Sequence, residues 1–171
     1  MKLKALCIAV SLLAVPGVAA AQSPLDSVKK AAGNASKSAV EKRVNTKLTE
    51  EAKKNQCSFK TGTAELAPGC DAKLKKLANV LIDAKKQLVA AGVNSYKFEV
   101  SGHTDSTGDA AKNKALSEKR AETIVKELVS RGIPRGEITA VGYGSERLLV
   151  KPDNTEAKKA QNRRYELQVR L

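Results

Sequence analysis

Read for the period of its hydrophobic positions, the chain falls into unlike segments. Residues 22–54 carry only a thin helical stripe, Val40, Val44 and Leu48, among Ala, Lys, Ser and Asn. One apolar residue per turn buries little surface, so this stretch reads as a basic, partly helical tether rather than an independent domain. From Asn55 the pattern sharpens. Cys57 to Phe59 is a short strand candidate, and Leu74, Leu77, Ala78, Leu81, Ile82, Leu88 and Val89 then recur at helical spacing until Gly92. Tyr96, Phe98 and Val100 alternate with Lys97, Glu99 and Ser101, which predicts a strand with one buried face. A second helix is expected from Asp109 to Arg131, its stripe carried by Leu116, Ile124, Val125 and Leu128 and its end marked by Gly132 and Pro134. Glu137–Val141 is a further strand, and Tyr165, Leu167, Val169 and Leu171 alternate with polar residues in the clearest strand of all. One-faced strands joined by long amphipathic helices predict an α/β fold, a two-layer sandwich in the order βαβαβ(α)β. Its helices would pack on one face of a mixed four-stranded sheet spanning residues 55–171. The evenly spaced strands of a membrane barrel are not present.

The first residues set the compartment. Lys2 and Lys4 precede an apolar run, Ala5–Val15, that Pro16 and Gly17 break, and Ala19–Ala20–Ala21 form an A-x-A-like cleavage pattern before Gln22. The run is shorter than the ~18–20 residues that span a bilayer. Residues 1–21 therefore read as a cleaved signal peptide that delivers the protein to the periplasm. Cys7 lies near the start of the apolar run, the wrong place for lipidation. It leaves with the signal, so Cys57 and Cys70 remain. An even pair in an oxidising compartment predicts a disulfide, and with His103 the lone histidine a zinc set is not expected. No other cofactor is implied. The net charge of +13, less Lys2 and Lys4, leaves +11 on the mature chain. In the envelope such a surface favours cell-wall polymers and lipid head groups. Aromatic residues make up only 3 % of the chain, too few for the stacking platforms of a single-strand nucleic-acid binder, so nucleic acid is not an expected partner.

Chemistry concentrates in Gly102–His103–Thr104–Asp105–Ser106–Thr107–Gly108, between the strand at 96–101 and the helix after it. Loops at strand ends are favoured ligand positions in α/β folds. Asp105 and Arg120, fifteen residues apart, are either a surface ion pair or a clamp for a ligand bearing both charges. A serine-hydrolase arrangement of Ser101, His103 and Asp105 is excluded by their alternation along one strand and by the absence of a G-x-S-x-G turn. The protein is therefore not expected to be an enzyme.

Several spaced elements occur in a fixed order: Gly102-His-Thr-Asp105, Gly108, Asn113, Leu116-Ser117, Arg120-Ala121, Gly132-Ile133, Gly142-Tyr-Gly144 and Asn162-Arg-Arg164. Together they resemble the signature of the OmpA-like peptidoglycan-binding domain family, over roughly Phe59 to the last residue. The resemblance implies an OmpA-like fold and non-catalytic binding of peptidoglycan, with Asp105 and Arg120 holding the diaminopimelate of the stem peptide. A carboxylate would take the ammonium and a guanidinium the carboxylate, both through charge-assisted bonds. Thr104 and Asn113 would shape the pocket, and of Arg163 and Arg164 one would face the ligand and the other solvent. After Phe59 the chain departs from the family pattern. Lys60 stands where an acidic residue or Asn is usual, and Gly62 where a polar side chain is frequent. Weaker or purely backbone contacts are expected from that loop. The alternative reading is an envelope interaction protein with a vestigial site, which meets an outer-membrane or other envelope partner through residues 22–54.

Overall fold

The computed structural model describes residues 24–171, so the expected signal peptide lies outside the described residues. The elements in chain order are helix α1 (Pro24–Lys54), helix α2 (Asp71–Ala90), strand β1 (Lys97–His103) and helix α3 (Ala110–Ser130). Strand β2 (Ile138–Gly144), helix α4 (Glu156–Asn162) and strand β3 (Tyr165–Arg170) follow. The central strand is β1, with β2 parallel on one side and β3 antiparallel on the other. Parallel pairing of β1 and β2 needs a long crossover, and α3 supplies it. Phe98, Val100, Ile138, Tyr165, Leu167 and Val169 turn to the helices and are buried with Leu77, Leu81, Leu88, Ile124 and Leu128.

The close fit of α3 on the sheet depends on missing side chains. A Cβ on Gly102 would run into the backbone carbonyl of Ser117, and one on Gly142 would lie 2.5 Å from the Glu118 nitrogen and 2.6 Å from the Lys114 oxygen. Ser117, fully buried, fastens the two elements: its Oγ accepts from the Gly144 backbone N–H at 2.8 Å and donates to the Lys114 carbonyl at 2.8 Å. Asp109 starts the helix by accepting from the Lys112 backbone N–H at 2.9 Å.

The sheet has three strands rather than the four expected. Phe59 forms only an isolated antiparallel bridge to Leu66 within its own hairpin. The outer edge of β3, where a fourth strand would pair, is met instead by side-chain amides. Asn45 Oδ1 accepts from the Val169 N–H at 2.6 Å while its Nδ2 donates to the Val169 carbonyl at 3.1 Å. Gln56 does the same at Tyr165, accepting at 3.2 Å and donating at 2.7 Å. An amide side chain carries the same donor and acceptor as a peptide group, so it can stand in for a strand at two rungs.

The stripe on α1 is also stronger than its sequence suggests. Val44, Leu48 and Ala52 are all buried in the common core. One residue per turn is enough here because α1 packs against β3 while Asn45 on the helix and Gln56 just past its end bond the strand edge.

Cys57 and Cys70 are buried neighbours, with the Cys57 Sγ 3.8 Å from the Cys70 carbonyl oxygen. The structure holds both as thiols, side by side, and does not show the expected disulfide. Burial, helped by the bond to Cys70, pushes the Cys57 thiol up to about 12.

Two predictions test this packing by chemical denaturation. Gly142→Ala should destabilise the fold by about 1–3 kcal/mol through overpacking, whereas Gly136→Ala, with nothing within 4 Å of the new methyl, should not. Leu48→Ala should cost about 2–5 kcal/mol, the range for a buried Leu. A near-neutral result would mean that α1 does not belong to the core.

A candidate ligand-binding cleft at the end of the central strand

Strand β1 ends between its neighbours. The His103 N–H donates to the Arg164 carbonyl at 2.9 Å and the Thr104 N–H to the Gly144 carbonyl at 2.9 Å. The chain is thus held from both sides as it enters the Gly102–Gly108 loop. Asp105 is mostly buried, and each of its oxygens has a partner. Oδ1 accepts from the Thr107 backbone N–H at 3.0 Å, and Oδ2 accepts from Arg163 Nη1 at 2.8 Å. Burial raises its carboxyl, but the bonds from Arg163 and Thr107 outweigh that, and the net shift is below the usual carboxylate value.

A second carboxylate fixes the loop from behind. Asp153 accepts from both the backbone N–H and the hydroxyl of Ser106, and from Asn162 Nδ2 at 3.0 Å. The Ser106 bonds are the main reason its carboxyl is held down at about 2. Asn162, fully buried, also bonds the backbone of Leu149 and Val150, so it ties the 145–155 segment to the site. Asn113 Nδ2 donates to the Thr107 carbonyl at 2.9 Å and closes the loop on the side of α3. The Thr104 hydroxyl is turned to the Asp105 carbonyl at 2.9 Å.

Arg120 reaches the same cleft from α3, yet it makes no ion pair with Asp105. Its Nε donates to the Thr63 carbonyl at 2.9 Å and its guanidinium lies 5.0 Å from the Phe59 ring centroid. Its two Nη groups have no hydrogen-bond partner among the described residues. Burial first, and then repulsion from Arg163, lower its pKa from the ordinary arginine value, while Asp105 acts in the opposite sense. The guanidinium stays charged.

The two adjacent arginines diverge. Arg163 faces the cleft and bridges Asp105 and Glu156. Arg164 also lines the cleft but is spent on its own neighbours, donating through Nε to Glu166 at 2.7 Å and through Nη2 to the Arg147 carbonyl at 3.2 Å. His103 is buried and stacked on Tyr143, with ring centroids 5.5 Å apart and neither ring nitrogen hydrogen-bonded among the described residues. Burial, then the Arg164 charge, lower it to about 4, so the ring is neutral at physiological pH. Among the described residues no group of His, Cys, Asp and Glu could hold a metal ion, and no helix is long and apolar enough to cross a membrane.

Thr104, Asp105, Asn113, Arg120, Arg163 and Arg164 all line one open cleft of about 1270 Å³. Three of its features were not read from the sequence. The Thr63 carbonyl and the Phe59 face that seat Arg120 leave no trace in residue types. Asp153 stands in an irregular loop with no pattern to mark it. Asn162 belongs to the Asn-Arg-Arg element, which could have singled it out, but its role as a bracket needed the fold.

Comparison with known proteins agrees with this architecture. Outer membrane porin F of Pseudomonas fluorescens is 50% identical over 72 residues, 42% of this chain and 22% of that protein. A peptidoglycan-associated lipoprotein of Legionella pneumophila is 44% identical over 70 residues, 39% of this chain and 38% of that protein. The chain thus spans well under half the length of these curated relatives. Among solved structures, the peptidoglycan-associated lipoprotein of Burkholderia pseudomallei superposes with a TM-score of 0.55 at 26% identity, covering 67% of this chain and 89% of that one. A putative MotB-like protein of Desulfovibrio vulgaris shares the fold with a TM-score of 0.58 at 20% identity, over 81% of this chain and 94% of that one. The OmpA family profile matches residues 58–163, more than half of the chain, and the chain belongs to the OmpA family.

Proposed function

We propose that this protein is a non-catalytic peptidoglycan-binding module of the bacterial envelope, which grips the diaminopimelate of the stem peptide between Asp105 and Arg120. The observation that carries this reading is the pairing of unlike charges across one open cleft. The Arg120 guanidinium is oriented through Nε and Phe59 while its Nη groups are left to bind, and Asp105 is ionised beside it. The side chain of diaminopimelate ends in one ammonium and one carboxylate, and each finds a charge-assisted partner of opposite sign. Names of relatives support the same reading, since two of those above are peptidoglycan-associated lipoproteins. A secreted protein held to the wall in the periplasm would tether or organise the envelope.

The first test is calorimetric titration of the purified secreted protein with diaminopimelate, with lysine as the control ligand. Selective binding is expected. Asp105→Ala and Arg120→Ala should each weaken it by about 2–5 kcal/mol, the range for truncating one partner of a buried charge pair, and should abolish capture by purified sacculi. Capture retained in both variants would overturn the proposal. A second prediction concerns the loop that carries Asp105. The Asp153 carboxyl lies at about 2 against an ordinary 3.8. A depressed carboxyl stabilises the fold above its unfolded value and loses that contribution as pH falls through its folded one. Wild type should therefore exceed Asp153→Asn in stability at neutral pH. The difference should shrink between about pH 4 and about pH 2 in acid titrations followed by circular dichroism. A difference that does not vary with pH would place the effect elsewhere.

A further inference from the structure

Glu156 opens helix α4 at the rim of the cleft, and its carboxylate accepts from Arg163 Nη2. The same guanidinium donates through Nη1 to Asp105 at 2.8 Å. One cation thus joins two carboxylates of unlike setting, since the Asp105 side chain is 12% exposed and that of Glu156 77%. With Arg120 beside them, the cluster holds two guanidinium groups and two carboxylates and is electrically neutral. Without the Glu156 charge it would be two cations against one anion, in a cleft that Lys53 and Lys159 also line. The other charged pair there, Arg164 and Glu166, neutralises itself. Lys60 is turned away onto Glu65 at 2.7 Å and does not line the cleft.

We propose that Glu156 sets the charge type of ligand that the cleft accepts, by making it receptive to a zwitterionic amino-acid end group rather than to an anion alone. This rests on Asp105 and Arg120 being the ligand contacts. An ammonium approaching Asp105 meets the Arg163 guanidinium on the same carboxylate, and like charges at that separation repel. Arg163 can yield to the newcomer because Glu156 still holds its other nitrogen. With Glu156 neutralised, Asp105 is the one carboxylate left to Arg163, and the ammonium must compete for it. A ligand with carboxylates and no ammonium experiences the reverse, because losing Glu156 removes a repulsive charge from its surroundings.

The test compares meso-diaminopimelate with pimelate, the same seven-carbon diacid without amines. Both are measured on the purified secreted protein, pimelate by competition against diaminopimelate. Glu156→Gln should weaken diaminopimelate roughly threefold to fivefold, the scale of an exposed ion pair, and leave pimelate unchanged or tighter. The difference should fade at high salt, as expected of an exposed charge, and the thermal transition should stay near that of wild type. An equal change for both ligands, or no change for diaminopimelate, overturns the proposal. If Asp105→Ala abolishes diaminopimelate binding while Glu156→Gln matches wild type, the cleft stands and the role of Glu156 falls. If Asp105→Ala binds as wild type does, both fall together.

Discussion

Helix α3 lies so close to strands β1 and β2 that a single methyl group on Gly102 or Gly142 would meet its backbone. That approach sets the geometry of everything at the open end of the sheet. Asp105 follows directly from the end of β1, and Arg120 is on α3, three residues past the Ser117 that bonds β2. Their separation is therefore fixed by backbone packed on backbone and not by flexible side chains. The proposed clamp needs that stiffness, because charged groups left to find each other form an ion pair of little worth.

Arg120 and Asp105 do not neutralise one another, and the reason lies in their other partners. Arg120 is committed by Nε to a backbone carbonyl and rests on Phe59, while Asp105 is occupied by Arg163 and the Thr107 N–H. Each charge is thereby oriented by neighbours and still has capacity for a ligand atom. A buried carboxylate without those donors would be pushed upward and lose its charge, and here they outweigh burial. Asp153 and Asn162 extend the same logic one layer outward, holding the loop that holds Asp105.

The far edge of the sheet follows a different rule. An exposed strand edge invites pairing with another chain. In this protein α1 covers it, with Asn45 and Gln56 imitating peptide groups at two positions and Val44, Leu48 and Ala52 sealing the core beneath. The tether thereby becomes part of the fold that carries the cleft.

The sequence by itself determined the helices α2 and α3, strands about residues 96–101, 137–141 and 165–171, and the residues of the cleft that belong to spaced motifs, while the fold carried the first two strands on to His103 and Gly144. Periodicity reports burial along a single element, and a motif reports residue types at fixed intervals, so both are legible in one dimension. Only the tertiary structure decided the three-stranded sheet, the docking of α1 and the burial of Cys57 against Cys70. It also decided the different partners of Arg163 and Arg164 and the bonds made by Asp153 and Glu156. Those features arise between residues distant in the chain: an amide at 45 against a strand at 169, a backbone carbonyl at 63 against a guanidinium at 120. Whether a polar side chain completes a sheet edge, binds a ligand or meets solvent depends on which groups the folded chain sets within about 3 Å of it, and no spacing along the sequence encodes that.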